Sequence, residues 1–245
     1  EQKKILEKNP HKKNEAIPNR NIKCNLKAYQ FANFISVASQ HVKESFLLHQ
    51  YPENRIFVNP YGVDLSMFKP LPNIPKKYDV IMVGGWGYEK GCDLIVEAIR
   101  KTNYSFIHVG SIKDVDFPQE KNFTHIDPVD QSKLIEYYNQ AKVFILPSRQ
   151  DGFGMVLSQA LACNLPIIGS NNCGAPDLKK MVELPEYITI IKDYTADAIV
   201  TAIHTAIKNY EQLGERIYAG NAIENLTWEA YGKRYANFLH KIIKQ

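Results

Sequence analysis

Residues 147–170 read PSRQDGFGMVLSQALACNLPIIGS, with the apolar run VFIL immediately before them at 143–146. A short run of that kind forms a buried parallel strand, and Pro147-Ser148 stops it. Gly152 and Gly154 carry no Cβ, so the backbone between them can turn sharply and approach a ligand closely. From Met155 the residues become helix formers, through Val156, Leu157, Ala160, Leu161 and Ala162, and Leu165 to Ile168 resumes a strand. The helix therefore starts where the strand's carboxyl end opens, and its first amides point out of the sheet. Such a helix start attracts anions, phosphate above all. Asp151 adds a carboxylate to the same turn.

Outward from this stretch the alternation of strands and helices is regular. Strands are expected near 78–83, 104–109, 122–126, 142–146, 165–169 and 187–191, and helices near 92–101, 130–139, 155–163, 177–182 and 196–209. That order builds an α/β fold, a Rossmann-like parallel sheet with helices on both faces and right-handed crossovers. Ligands of such sheets lie outside the carboxyl ends of the strands, which directs attention to 84–91, 110–114, 127–130, 147–154 and 170–176. Ahead of this sheet, residues 33–38 (NFISVA) read as a strand, Ser39 as the N-cap of a helix through His49, and residues 55–59 (RIFVN) as another strand. Residues 1–25 are polar and lysine-rich, a weakly ordered helix or an arm.

A second constellation is VGGWGYEKGCDLIVEAI, residues 83–99. Gly84, Gly85 and Gly87 form a loop after a strand, and Lys90-Gly91 opens a helix. A lysine beside a glycine loop can clamp a diphosphate, which needs both positive charge and backbone donors. Two further loops, Val109-Gly110-Ser111 and Ile126-Asp127-Pro128-Val129, end neighbouring strands, where each either meets a ligand or shapes a turn. His108 lies on a strand and reads as a core or edge residue, and Asp177 as the N-cap of the 177–182 helix.

Together these motifs resemble the C-terminal half of retaining family-4 glycosyltransferases of the GT-B fold. Asp151 stands where that family has the first Glu of its Glu-Gly-Phe-Gly signature, Gly152-Phe153-Gly154 match, and Gln159 stands at the second Glu. Pro60, Gly62, Val63, Asp64 and Phe68 match the family's entry into its C-terminal domain. Lys90, Gly91 and Asp93 match the diphosphate-binding segment, with Gly85 in place of its Arg. Arg149 is the candidate replacement for that cation, the rival reading being a plain surface charge. The resemblance implies donor binding by Gly84, Gly85, Lys90, Gly110, Val129, Arg149, Asp151, Gly152, Phe153, Gly154, Met155, Val156 and Gln159. Lys90 and Asp151 would serve catalysis, Asp151 orienting a sugar hydroxyl and Gln159 reaching the ribose by uncharged hydrogen bonds.

The resemblance further implies transfer of a sugar from a nucleoside diphosphate to the hydroxyl of a glycan or lipid-linked acceptor, in polysaccharide or glycan biosynthesis. Neither cofactor nor metal is expected, since a lysine and a helix start can carry the diphosphate charge in place of a metal. It divides the chain into a remnant of the N-terminal domain (1–58), a nucleotide-sugar-binding domain (59–215) and a returning C-terminal helix (216–245), so that the N-terminal half is largely missing. Rival readings are a non-catalytic module binding nucleotide-sugar or a partner protein, and a GT-B-fold epimerase.

Composition agrees with a globular chain: of 245 residues, 44% are hydrophobic and 23% charged, and no run reaches the roughly 18 apolar residues of a membrane span. The four cysteines have no metal or redox spacing and are expected to be inert in a reducing cytoplasm. Residues 1–60 carry ten Lys/Arg against five Asp/Glu, whereas the whole chain is only +4. Basic residues 3–27 suit peripheral contact with anionic lipid at an inner membrane face, or simply a solvated lead-in. No nucleic-acid partner is expected.

Overall fold

The computed structural model describes residues 19–182, 185–213 and 221–244. The chain begins there with helix α1 (Asn19–Phe31), then β1 (Ile35–Val37), α2 (Gln40–Leu48) and β2 (Ile56–Val58). Strands β1 and β2 pair in parallel, Ile35 opposite Ile56, so 35–58 is one small β-α-β unit. The main sheet follows, with β3 (Tyr78–Val83), α3 (Cys92–Arg100), β4 (Phe106–Val109), β5 (Phe123–Ile126), α4 (Gln131–Asn139) and β6 (Ala141–Leu146). It continues through α5 (Met155–Ala162), β7 (Ile167–Ser170), α6 (Ala175–Met181), β8 (Ile188–Ile191) and α7 (Ala196–Leu213), and α8 (Trp228–Ile243) ends the described chain.

The six strands are all parallel, in the order β5-β4-β3-β6-β7-β8. Val80, Ile81 and Met82 of β3 and Val143, Phe144 and Ile145 of β6 are wholly buried, as continuous apolar strands covered on both faces must be. Right-handed crossovers send α3 to one face and α5 to the other, because their connections run toward opposite edges. On the first face α3 packs against α7, and on the second the Tyr138 hydroxyl of α4 donates to Gln159 of α5 at 3.0 Å.

This strand order reverses direction between β3 and β6, and the loops leaving those two strands splay apart there to form the crevice in which such sheets bind ligands. The loops are 84–91 and 147–154, so the topology brings the two sequence constellations to one place.

Differences from the sequence expectations are local. Most strand and helix ends move by one to three residues. Helix α1 is regular from Asn19, whereas the rest of the expected arm, residues 1–18, lies outside the described residues, as does the expected boundary at 215–216. Helix α6 starts at Ala175 with Gly174 as its N-cap, so Asp177 falls inside its first turn and caps something else.

Helix α8 carries no buried residue, yet its aromatic residues Tyr231, Tyr235 and Phe238 are partly covered. Phe238 stacks on Phe57 at 4.1 Å and meets Phe34 edge-on, and Tyr61 packs near Trp228 and Tyr231. Arg234 ties the helix to the segment after β2, donating to Asn59 Oδ1 and the Pro60 carbonyl.

Candidate functional site

Lys90 ends a short 3-10 turn (Tyr88–Lys90) after β3, and Asp151 lies in the loop after β6. Their side chains meet: Lys90 Nζ donates to Asp151 Oδ2 at 2.7 Å, and both are about four-fifths shielded from solvent. The backbone enforces this approach. Gly91 is left-handed at φ 74°, and a Cβ there would stand 2.4 Å from the Pro147 carbonyl oxygen, so only glycine lets the Lys90 turn rest on the β6 loop.

Asp151 is held from three directions. Its amide donates to the Asn172 carbonyl, its Oδ1 accepts from Phe153 N at 3.1 Å, and its Oδ2 accepts from Lys90. Phe153 is buried beneath the loop and contacts the Tyr61 ring edge-on, anchoring the turn as a hydrophobic pin. Gly154, at φ 79°, then starts α5 with no side-chain cap. Among the described residues the amides of Met155 and Val156 have no acceptor, and Leu157 N closes back onto Gly154 O. A carboxylate, an ammonium and free helix amides thus stand at the edge of one cleft of about 560 Å³.

Gly84, Lys90, Asp151, Gly152, Phe153, Gly154, Met155 and Val156 line this cleft. Its other wall comes from the small β-α-β unit and is apolar, with Val37, Val42 and Phe46 on one side and Tyr61 beside them. Sequence reasoning missed this wall because nothing local marks it. The unit is latched on. Ser39 Oγ caps α2 by accepting from Val42 N and donates to the Gly152 carbonyl at 2.6 Å. Asp177, buried on α6, accepts from Gln40 N through both carboxylate oxygens at 3.1 Å, so it caps α2 across the interface rather than its own helix.

The remaining expected donor contacts lie elsewhere. Arg149 is not a cleft cation: its guanidinium forks onto Asp93 at 2.6 and 2.8 Å, donates to the Tyr88 carbonyl and stacks 3.7 Å over the Tyr88 ring. A bidentate pair of that geometry, four-fifths buried, holds the base of the Lys90 turn instead. Gln159 is buried in α5 with its carbonyl oxygen taken by Tyr138, so it points into the helix layer and not the cleft. Val129 is half-buried against the core and away from the cleft. Gly85 lies outside the lining beside Lys113, and Gly110 sits beneath Gly84, its amide bonded to the Ile126 carbonyl.

His108 has a structural role the sequence reading did not name. It is fully buried, and burial pushes its imidazole down to about 4, so the ring is neutral. Its Nε2, 2.8 Å from the Gly84 carbonyl, must then carry the proton and donate to it, which leaves Nδ1 to accept from His125 Nδ1 at 3.0 Å. The glycine loop is therefore pinned from below by a histidine.

The family described as glycosyl transferases group 1 matches residues 66–222, more than half of the chain. The chain belongs to this family. A probable sucrose-phosphate synthase of Thermosipho melanesiensis is 26% identical over 242 residues, covering 87% of this chain and 56% of that protein. A GDP-mannose-dependent alpha-(1-6)-phosphatidylinositol monomannoside mannosyltransferase of Mycolicibacterium smegmatis is 23% identical, covering 85% of this chain and 62% of that protein. This member of the glycosyl transferases group 1 family thus spans a little over half the length of these curated relatives. Among solved structures, Anabaena HepE in complex with UDP and glucose superposes with a TM-score of 0.74 at 15% identity, over 91% of this chain and 67% of that one. Sucrose-phosphate synthase from Thermosynechococcus elongatus does so with a TM-score of 0.69 at 20% identity, over 92% and 62%. At such identities the likeness is one of fold, and the fold is that of GT-B enzymes.

Proposed function

We propose that this chain is the donor-binding half of a retaining glycosyltransferase that moves a sugar from a nucleoside diphosphate to an acceptor hydroxyl in glycan or polysaccharide synthesis. The observation that carries the proposal is the Lys90–Asp151 pair beside the uncapped start of α5, at the seam where the sheet reverses direction. As the bond to the leaving diphosphate breaks, negative charge grows on the phosphate and positive charge on the anomeric carbon. Lys90 and the Met155 and Val156 amides stabilise the first without reorganising, because the loop is already fixed. Asp151 takes a sugar hydroxyl through an oxygen, holding the anomeric carbon in line rather than attacking it.

Solved neighbours with UDP and UDP-glucose, and a relative named for GDP-mannose, make uridine and guanosine diphosphates the first donors to test. Calorimetric titration of UDP, GDP and ADP, with their nucleosides, should give micromolar-to-millimolar binding of one base class. Lys90→Ala should weaken the diphosphate by about tenfold or more and leave the nucleoside nearly unchanged. Equal losses for both would remove Lys90 from the diphosphate site.

The inward turn of Gln159 favours one second reading, a module that binds nucleotide-sugar without turnover. Release of nucleoside diphosphate on mixing donor with an acceptor hydroxyl, assayed with an N-terminal acceptor-binding half supplied, separates the two. Contact with anionic lipid through residues 3–27 also belongs to the proposal. Helix α1 contributes Arg20, Lys23 and Lys27 to it with no acidic residue between them, and among the described residues no helix is long and apolar enough to cross a membrane.

A further inference from the structure

The loop after β3 offers backbone where it meets the cleft. A Cβ on Gly84 would touch nothing within 4 Å, so this part of the lining is open to a ligand. At Gly85 the space is taken, for an added Cβ would lie 2.4 Å from Lys113 Cε and 3.0 Å from its Nζ. Lys113 comes from the loop after β4, which is sewn to the glycine loop by Trp86 N to Ser111 O at 2.8 Å and Lys113 N to Trp86 O at 2.9 Å. Its stem thus starts from a fixed backbone and crosses the face of Gly85.

The charge at the end of that stem has no hydrogen-bond or ion-pair partner among the described residues. Lys90 differs, since Asp151 already balances it. A diphosphate brings about two negative charges to the glycine loop, and a Lys90–Asp151 pair of zero net charge does not match them. Lys113 adds an ammonium over the adjacent glycine, and the neighbouring Asp114 carboxylate is turned to the Tyr88 amide at 2.9 Å rather than to that ammonium.

Resting on the donor-binding reading above, we infer that Lys113 supplies the second cation for the donor diphosphate, crossing from the β4 loop to occupy the place a side chain at position 85 would have filled. Gly85 is then a complementary feature: its missing side chain makes room for the lysine stem.

The test is calorimetry of UDP, GDP and ADP, each against its own nucleoside, on wild type, Lys113→Met, Lys113→Arg and Lys90→Ala. Methionine keeps the apolar stem without the charge, and Lys113 is exposed, so the melting temperature of Lys113→Met should match wild type. The expected result is a five- to tenfold loss, roughly, for the preferred diphosphate with Lys113→Met, no loss for its nucleoside, and recovery with Lys113→Arg. The salt dependence of diphosphate binding should also become shallower. Wild-type affinity for the diphosphate in Lys113→Met, with Lys90→Ala still impaired, would overturn the role of Lys113 and leave the donor site standing. Failure of wild type to bind any of the three diphosphates would overturn both.

Discussion

Gly91 shows how much of the site rests on one missing methyl group. Its left-handed backbone and its contact with the Pro147 carbonyl each exclude a side chain, and the atom in the way is backbone, which cannot swing aside. Gly91→Ala should cost about 1–3 kcal/mol in thermal or denaturant unfolding and should displace Lys90 from Asp151. A variant as stable as wild type would show that the loop has slack the geometry does not allow. Arg149 teaches the complementary lesson. Sequence proximity to Asp151 made it a reasonable cation for the cleft, but the fork onto Asp93 and the Tyr88 ring consumes its donors elsewhere. A residue two positions from a site need not face it, because a turn changes direction within that distance.

At the scale of elements, the latch between α2 and the signature loop sets the width of the cleft. Ser39 joins α2 to Gly152, and Asp177 joins the same helix start to α6. Ser39→Ala removes the cap of α2 and the donor to Gly152 together. It should lower stability by about 1–2 kcal/mol, read by denaturant titration, and weaken donor binding through looser positioning of Asp151. Unchanged donor affinity at lowered stability would confine Ser39 to capping. The cap on α2 was readable from the Ser39 position alone, since capping is local. Its second bond spans 113 residues of sequence and was not.

For the whole molecule, His108 couples stability to pH. The folded imidazole titrates at about 4 against an ordinary value of 6.5, with burial as the main cause and His125 beside it. Between those values the unfolded chain takes up a proton on His108 that the folded one does not, so this group's contribution to stability is complete above about pH 6.5 and is lost as the pH drops toward 4. The difference corresponds to about 3 kcal/mol. Replacing His108 by Leu should remove that share of the slope between pH 6.5 and 4, measured by chemical denaturation at each pH. An unchanged slope would mean that other groups carry the acid response.

What the sequence determined by itself was the parallel α/β sheet and the position of nearly every element in it, because buried strands and helix starts are written in local runs of apolar, glycine and capping residues. That the 84–91 and 147–154 loops share one site was implied by the family resemblance alone, and the observed strand order, with β3 beside β6, is what brings them together. Only the tertiary structure decided which side chains face the cleft. It turned Gln159 inward, gave Arg149 to Asp93, laid Lys113 over Gly85 and built the far wall from residues 35–61. Those outcomes depend on which distant groups arrive within hydrogen-bond reach, and no local pattern along the chain encodes them.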